Sequence, residues 1–197
     1  MHTPLREEDV RALELQDIVY IKGTIYTGRD MAHLRMKTLL NENKPLPFSL
    51  KENVLFHAGP VALKTSDGGY ALSVIGPTKS IRMEPYADMV GTLGVRAVIG
   101  KGGMWEETLN ACREHGYVYL QAAPGCAAYL AQGIERIRSF HWLDLGMPEA
   151  VWELQALRFG PLVVAMDTHG NSIYKNLADN ARRRIEELYP QVDPDRG

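Results

Sequence analysis

Three glycine-containing segments each place a cation at the end of a strand-like run. They are Tyr26-Thr27-Gly28-Arg29-Asp30, Gly76-Pro77-Thr78-Lys79-Ser80-Ile81-Arg82 and Val98-Ile99-Gly100-Lys101-Gly102-Gly103. Loops at strand ends are where α/β proteins gather functional side chains. In the first segment Arg29 falls near the start of a helix, where a cation is electrostatically disfavoured. A bound anion would relieve that conflict; the plainer alternative is a local pair with Asp30 or a solvated guanidinium. In the second, Pro77 suits the first helical position. Thr78 then sits in a first turn whose free N–H groups attract carboxylate or phosphate. Thr78 and Arg82 are four residues apart and share a helix face. A hydroxyl beside a guanidinium suits a carboxylate, which arginine can hold bidentately; the plainer alternative is a cap and a surface arginine. In the third segment Lys101 is followed by Gly102, so neither a Walker-type phosphate loop nor GxGxxG is present. What remains is an anion nest with one lysine, or a tight turn with an exposed one. Taken together, two arginines, one lysine and one hydroxyl are enough to grip both ends of a small dicarboxylate.

Other candidates have simpler readings. His57 in His57-Ala58-Gly59-Pro60 reads as a satisfied core histidine. Asp167-Thr168-His169-Gly170-Asn171 reads as a turn after a buried strand. Trp105, Trp142 and Trp152 read as core, and no Ser/His/Asp nucleophile arrangement is recognisable. The two cysteines, Cys112 and Cys126, form no CxxC and read as buried thiols, too few for a zinc or iron–sulfur site. If this protein does metal chemistry, most of the ligands must therefore come from elsewhere.

The elements that must position these residues follow from periodicity and turn chemistry. Helices are predicted over Glu7–Leu15, Arg29–Leu40, Pro77–Met89, Met104–His115, Gly125–Gln132 and Tyr174–Leu188, the last a closing amphipathic helix. Strands are predicted over Asp17–Tyr26 with a break at Gly23, then Val54–His57, Val61–Lys64, Tyr70–Ile75, Val95–Ile99 and Tyr117–Gln121. Arg138–Leu145 and Val151–Arg158 read as extended, and Leu162–Met166 as a separate buried strand. The mixture indicates an α/β fold with a mixed sheet and flanking helices. One domain is expected over 1–197, ending in a polar tail at 189–197.

The chain has 197 residues, 22 Lys plus Arg against 24 Asp plus Glu, and a net charge of −2. That balance argues against a cationic nucleic-acid-binding surface. No apolar run reaches the ~20 residues of a membrane helix. The N-terminus is polar and acidic without a signal pattern, so a cytoplasmic protein is expected.

These motifs, in this order, give the chain a resemblance to a known family. The segments Gly23–Asp30 with Ala32-His33, His57–Pro60, Gly76–Met83 and Ile99–Met104 carry it, with Asp144–Ala150, Phe159–Asp167 and His169–Ser172. The chain resembles the β subunit of two-subunit class I fumarate hydratases and L-tartrate dehydratases, over about Pro4 to Tyr174. The opening Thr3-Pro4-Leu5 is similar to a subunit start, so a complete β subunit is expected. The resemblance implies a swivelling β/β/α domain. It implies a hydro-lyase acting on a dicarboxylate: fumarate/L-malate first, L-tartrate next, mesaconate third. It implies a [4Fe–4S] cluster held by three cysteines of a partner α subunit, with no metal or cofactor ligand on this chain, and an active site at the subunit junction; a homodimeric or α2β2 assembly is the general expectation for soluble oligomers. Residues matching the family's substrate contacts are Arg29, Thr78, Arg82 and Lys101, with Thr78 in the place of a proposed proton-abstracting base. Lys79, where threonine is common in the family, adds a cation, and Gly28 stands where alanine occurs. A different class, a non-catalytic dicarboxylate-binding or assembly module of the same fold, is the alternative.

Overall fold

The computed structural model describes residues 1–189; the expected polar tail beyond Tyr189 lies outside them. In chain order the elements are α1 (Glu7–Arg11), β1 (Ile18–Thr27), α2 (Asp30–Asn41), β2 (Val54–Phe56), β3 (Ala58–Lys64) and β4 (Tyr70–Pro77). A 3-10 helix (Ser80–Tyr86), α3 (Ala87–Thr92), β5 (Ala97–Gly100), α4 (Glu106–His115) and β6 (Val118–Ala122) follow. The chain continues with α5 (Ala127–Gln132), β7 (Ile134–His141), a short 3-10 turn (Leu143–Leu145), β8 (Val151–Met166) and α6 (Ile173–Leu188).

Strands β1, β2, β5 and β6 are parallel neighbours in that order. The 16-residue β8 runs antiparallel to β6 along one edge and to β1 along the other, so the sheet closes on itself in a partly barrel-like form. Strand β7 pairs with the first part of β8. Central parallel strands are covered on both faces, so their sequences are apolar throughout: all of Val54-Leu55-Phe56 and Ala97-Val98-Ile99-Gly100 is buried. The two-residue period then divides them. Val54, Phe56, Ala97, Ile99, Val118 and Leu120 point into a core shared with Trp152 and Phe159. Leu55, Val98 and Tyr119 point the other way, against Met36 of α2, Val90 of α3 and Leu109 of α4.

Several expectations are corrected. Residues 151–158 and 162–166 are one strand, not two, continuing through Gly160-Pro161 because both edges of β8 find partners. The segment after Gly76 is not a helix from Pro77. Pro77 closes β4 opposite Ala58, and the helical run begins at Ser80 in 3-10 form before turning α at Ala87. Pro77 needs no N–H at a strand end. Trp105 is not core: it is 70% exposed, whereas Trp152 is fully buried. Helix α6 forms as expected but buries none of its residues, so it does not close the core.

The β3–β4 pair is an arm that leaves the sheet at His57 and returns at Thr78. Ala58 pairs with Pro77 at its base, and Ser66-Asp67-Gly68-Gly69 lies at its tip. Its free end is steadied by Tyr70, whose ring stands edge-on to Phe140 and Trp152 at 5.2 and 5.3 Å.

Candidate active site

In the sheet register Thr27, Phe56 and Ile99 lie side by side. Gly28 and His57, the first residues past their strands, and Gly100, the last residue of β5, therefore lie at one edge, the carboxyl edge of three parallel strands. Ligands of α/β sheets collect there, because loops from separate strands meet at that edge.

Thr78 is spliced into this edge. Its N–H donates to the His57 carbonyl (2.8 Å), and its own carbonyl accepts from Lys101 N–H (3.2 Å). Ser80 N–H donates to the Lys101 carbonyl (3.1 Å), so Lys79 and Lys101 run alongside one another. The expected free N–H at Thr78 is thus already paired, as is that of Lys101; neither offers a backbone anion site. What Thr78 presents is its hydroxyl. Arg82 Nη2 donates to Thr78 Oγ1 at 2.8 Å, although Thr78 precedes the helical run and the two do not share the expected helix face. The same nitrogen lies 3.2 Å from Asp30 Oδ2, so Asp30, Arg82 and Thr78 form a chain across two loops.

Arg29 does not pair with Asp30. Its Nε lies 3.2 Å from Glu149 Oε1, while the other carboxylate oxygen, Oε2, accepts from Met31 N–H (3.1 Å) in the first turn of α2. The anion that resolves the conflict at this helix start is thus the chain's own Glu149. Close approach of the two loops needs Gly59: a Cβ there would lie 2.6 Å from the Pro148 carbonyl oxygen and 2.9 Å from Arg29 Nη1.

A buried polar layer supports the edge. The His33 Nδ1 lies 2.8 Å from the Arg29 carbonyl, which fixes it as the protonated nitrogen. Its Nε2 is buried without a partner. His57 Nδ1 lies 2.9 Å from Ser80 Oγ, so His57 is a satisfied core histidine as expected. Burial pushes the His33 imidazole down to about 4, against the raising effect of the Arg29 carbonyl. Burial, with the neighbouring His33, holds His57 well below the ordinary histidine range. Both are neutral near pH 7, and neither brings charge to the edge.

The structure thus brings the Arg29, Thr78, Arg82 and Lys101 segments to one edge. Periodicity left out Asp30 as the Arg82 partner and Glu149 as the Arg29 partner. Glu149 lies within a motif that carried the resemblance, but its distance from Arg29 in sequence left no local signal. A cavity of about 710 Å³ adjoins the cluster rather than containing it. Lys79 and Lys101 reach its wall, and Met104, Trp105, Met166 and Tyr174 form much of the rest.

The two thiols do not make a cluster site. Cys112 lies on the buried face of α4, and burial holds its thiol well above the ordinary range. Cys126 packs half-buried against the other core. Asp88, Glu114 and His115 do approach one another at the surface, but the His115 ring is already bonded to Asp88 (2.8 Å). Among the described residues no helix is long and apolar enough to cross a membrane.

Residues 1–177 match the family model described as fumarase C-terminus. The chain belongs to this family. Among its relatives is a protein of Methanocaldococcus jannaschii named "Putative L(+)-tartrate dehydratase subunit beta", 46% identical, covering 93% of this chain and 95% of the relative. The Escherichia coli L(+)-tartrate dehydratase subunit beta is 38% identical, covering 97% of this chain and 92% of the relative. A "Putative fumarate hydratase class I" of Geobacillus stearothermophilus is 42% identical over 98% of this chain. The match covers 36% of that protein.

Proposed function

We propose that this chain is the β subunit of a hydro-lyase that reversibly adds water to, or removes it from, a small dicarboxylate. Fumarate/L-malate is the first substrate and L-tartrate the second. The observation that carries this reading is the Asp30–Arg82–Thr78 chain set beside Arg29 and Lys101 at the carboxyl edge of the parallel strands. Both relatives named as tartrate dehydratase β subunits match nearly end to end, which supports it. On this reading the whole chain acts as one domain of the swivelling β/β/α type, in the cytoplasm. It is joined to an α subunit in a homodimeric or α2β2 arrangement.

Each residue has a role in the reaction. Arg29 and Arg82 hold the substrate carboxylates, and Lys101 adds a third cation. Thr78 Oγ1 accepts from Arg82, so its own proton is free to leave; a guanidinium at 2.8 Å favours the alkoxide that remains. That proton passes to a carboxylate of the partner subunit. The alkoxide then takes the proton from the carbon next to a substrate carboxylate. Negative charge develops on that carboxylate, where the prearranged cations stabilise it. The hydroxyl leaves as the double bond forms, takes the proton held on the partner carboxylate and departs as water. A [4Fe–4S] cluster held by three cysteines of the partner would supply Lewis acidity toward that hydroxyl, since the two separated thiols of this chain, Cys112 and Cys126, would not hold it.

The test is an anaerobic assay of this chain co-produced with a three-cysteine partner, offering fumarate, L-malate, both tartrates and mesaconate. Turnover of one of them names the substrate. An intact, cluster-loaded complex inert toward all five would move the reading to a non-catalytic dicarboxylate-binding module.

A further inference from the structure

Glu149 is tied to two groups at once, both belonging to the Arg29 segment. Its Oε1 lies 3.2 Å from Arg29 Nε, and its Oε2 accepts from Met31 N–H at 3.1 Å. The Nε approach is an ion-pair contact, not an aligned hydrogen bond, since Nε is buried and has no partner in hydrogen-bonding geometry. Both side chains are largely shielded, at 24% and 19% exposure. The loop bearing Glu149 is itself fixed, because the N–H groups of Glu149 and Ala150 both donate to the Gly146 carbonyl. A guanidinium has two edges that can grip a carboxylate, one using Nε and one formed by the two Nη nitrogens. Here the first edge faces Glu149. Neither Nη nitrogen donates to any described residue.

We infer that Glu149 is a positioning residue for substrate binding: it occupies the Nε edge of Arg29 and anchors it to the start of α2, so that the Nη edge is turned toward the substrate carboxylate. This rests on the functional reading above for the identity of the substrate, but not for the Arg29–Glu149 geometry. Glutamine at 149 keeps the shape but must offer an amide nitrogen to one of two donors. Alanine leaves a gap of carboxylate size between Arg29 Nε and Met31 N–H.

The experiment uses the assembled enzyme with its cluster-bearing partner. Glu149→Gln and Glu149→Ala should each lower kcat/KM about tenfold or more. Added formate should restore Glu149→Ala in a saturable manner and should not activate the wild type. The losses of Glu149→Ala and Arg29→Ala should be strongly non-additive, since one acts through the other. If Glu149→Ala does not assemble, Glu149→Gln carries the same cycle. Wild-type kcat/KM in both variants, additive losses, or a loss that formate leaves untouched would overturn the assignment. If the wild-type enzyme turns over no dicarboxylate, calorimetry of formate binding decides instead. Glu149→Ala should bind one formate more than the wild type, and the Arg29→Ala/Glu149→Ala variant should lack that added site; no added site in Glu149→Ala overturns the assignment.

Discussion

At the scale of single residues the site depends on a few atoms that leave no slack. Arg82 is the clearest case, because Nη2 serves both Asp30 and Thr78. Arg82→Ala should cut kcat/KM by roughly a hundredfold, the size expected when a charge-assisted contact to substrate is lost together with its neighbour's orientation. Steady-state kinetics of the assembled enzyme checks this, and near-wild-type kinetics would remove Arg82 from the site. Gly100 is a second case. A Cβ there would lie 1.7 Å from Ser80 Oγ, the group that satisfies His57. Gly100→Ala should therefore push Ser80 off His57 and leave a buried nitrogen unpaired, costing about 1–3 kcal/mol. Denaturant titration reads it, and an unchanged midpoint would mean Ser80 can turn aside freely. Lys79 lies alongside Lys101 and on the wall of the adjoining cavity. If its charge reaches the substrate, Lys79→Thr should raise KM for dicarboxylates while leaving kcat nearly constant.

At the scale of elements, the loops are held by side chains from distant helices and strands. Helix α4 has no cap at its own N-cap residue. Its first turn is satisfied instead by Glu84 of the 3-10 helix, which accepts from Trp105 N–H, Thr108 N–H and the Thr108 hydroxyl at 2.7–2.9 Å. One carboxylate thus ties the helix after Lys101 to the helix after Thr78. Glu84→Ala should cost roughly 1–3 kcal/mol, because buried donors lose their acceptor. Hydrogen exchange should show the loss at the Trp105 and Thr108 amides first; uniform protection would assign the capping elsewhere. The β3–β4 arm matters in the same way. Its two ends are joined by Ala58–Pro77 pairing, and that junction delivers Thr78 to the sheet edge. A helix from Pro77 would have been compatible with local sequence preferences. Long-range pairing of β4 with β3 outweighs them.

At the scale of the whole molecule, two neutral imidazoles beneath the edge couple stability to pH. His33 has a folded value near 4 against about 6.5 in the unfolded chain. The unfolded state therefore binds the proton more readily, so stability is complete above about pH 6.5 and declines as pH falls toward 4. Between pH 7 and pH 5 the loss from His33 alone should be roughly 2 kcal/mol. His57, shifted in the same direction, adds to it. Denaturation at the two pH values measures the slope, which His33→Gln should flatten. A pH-independent stability would mean that His33 binds its proton equally well in the folded and unfolded chain.

How far the sequence reaches depends on the range of the interactions involved. Short continuous apolar runs determined the parallel strands β2, β5 and β6, and period-3.6 patterning the helices α2 and α4, because burial on both sheet faces or along a helix stripe is written locally. Spacing brought Thr78 and Arg82 together for the wrong reason, a shared helix face, and the order of motifs determined the family. Only the tertiary structure decided that β8 is one strand closing the sheet on itself, that Thr78 sits between His57 and Lys101, and that Arg29 faces Glu149 while Arg82 takes Asp30. These are pairings between groups far apart in the chain. A hydrogen-bond or charge partner at such range imposes no periodicity on the residues around it. It becomes fixed only when packing of the sheet and its helices brings the two loops within ångströms of one another.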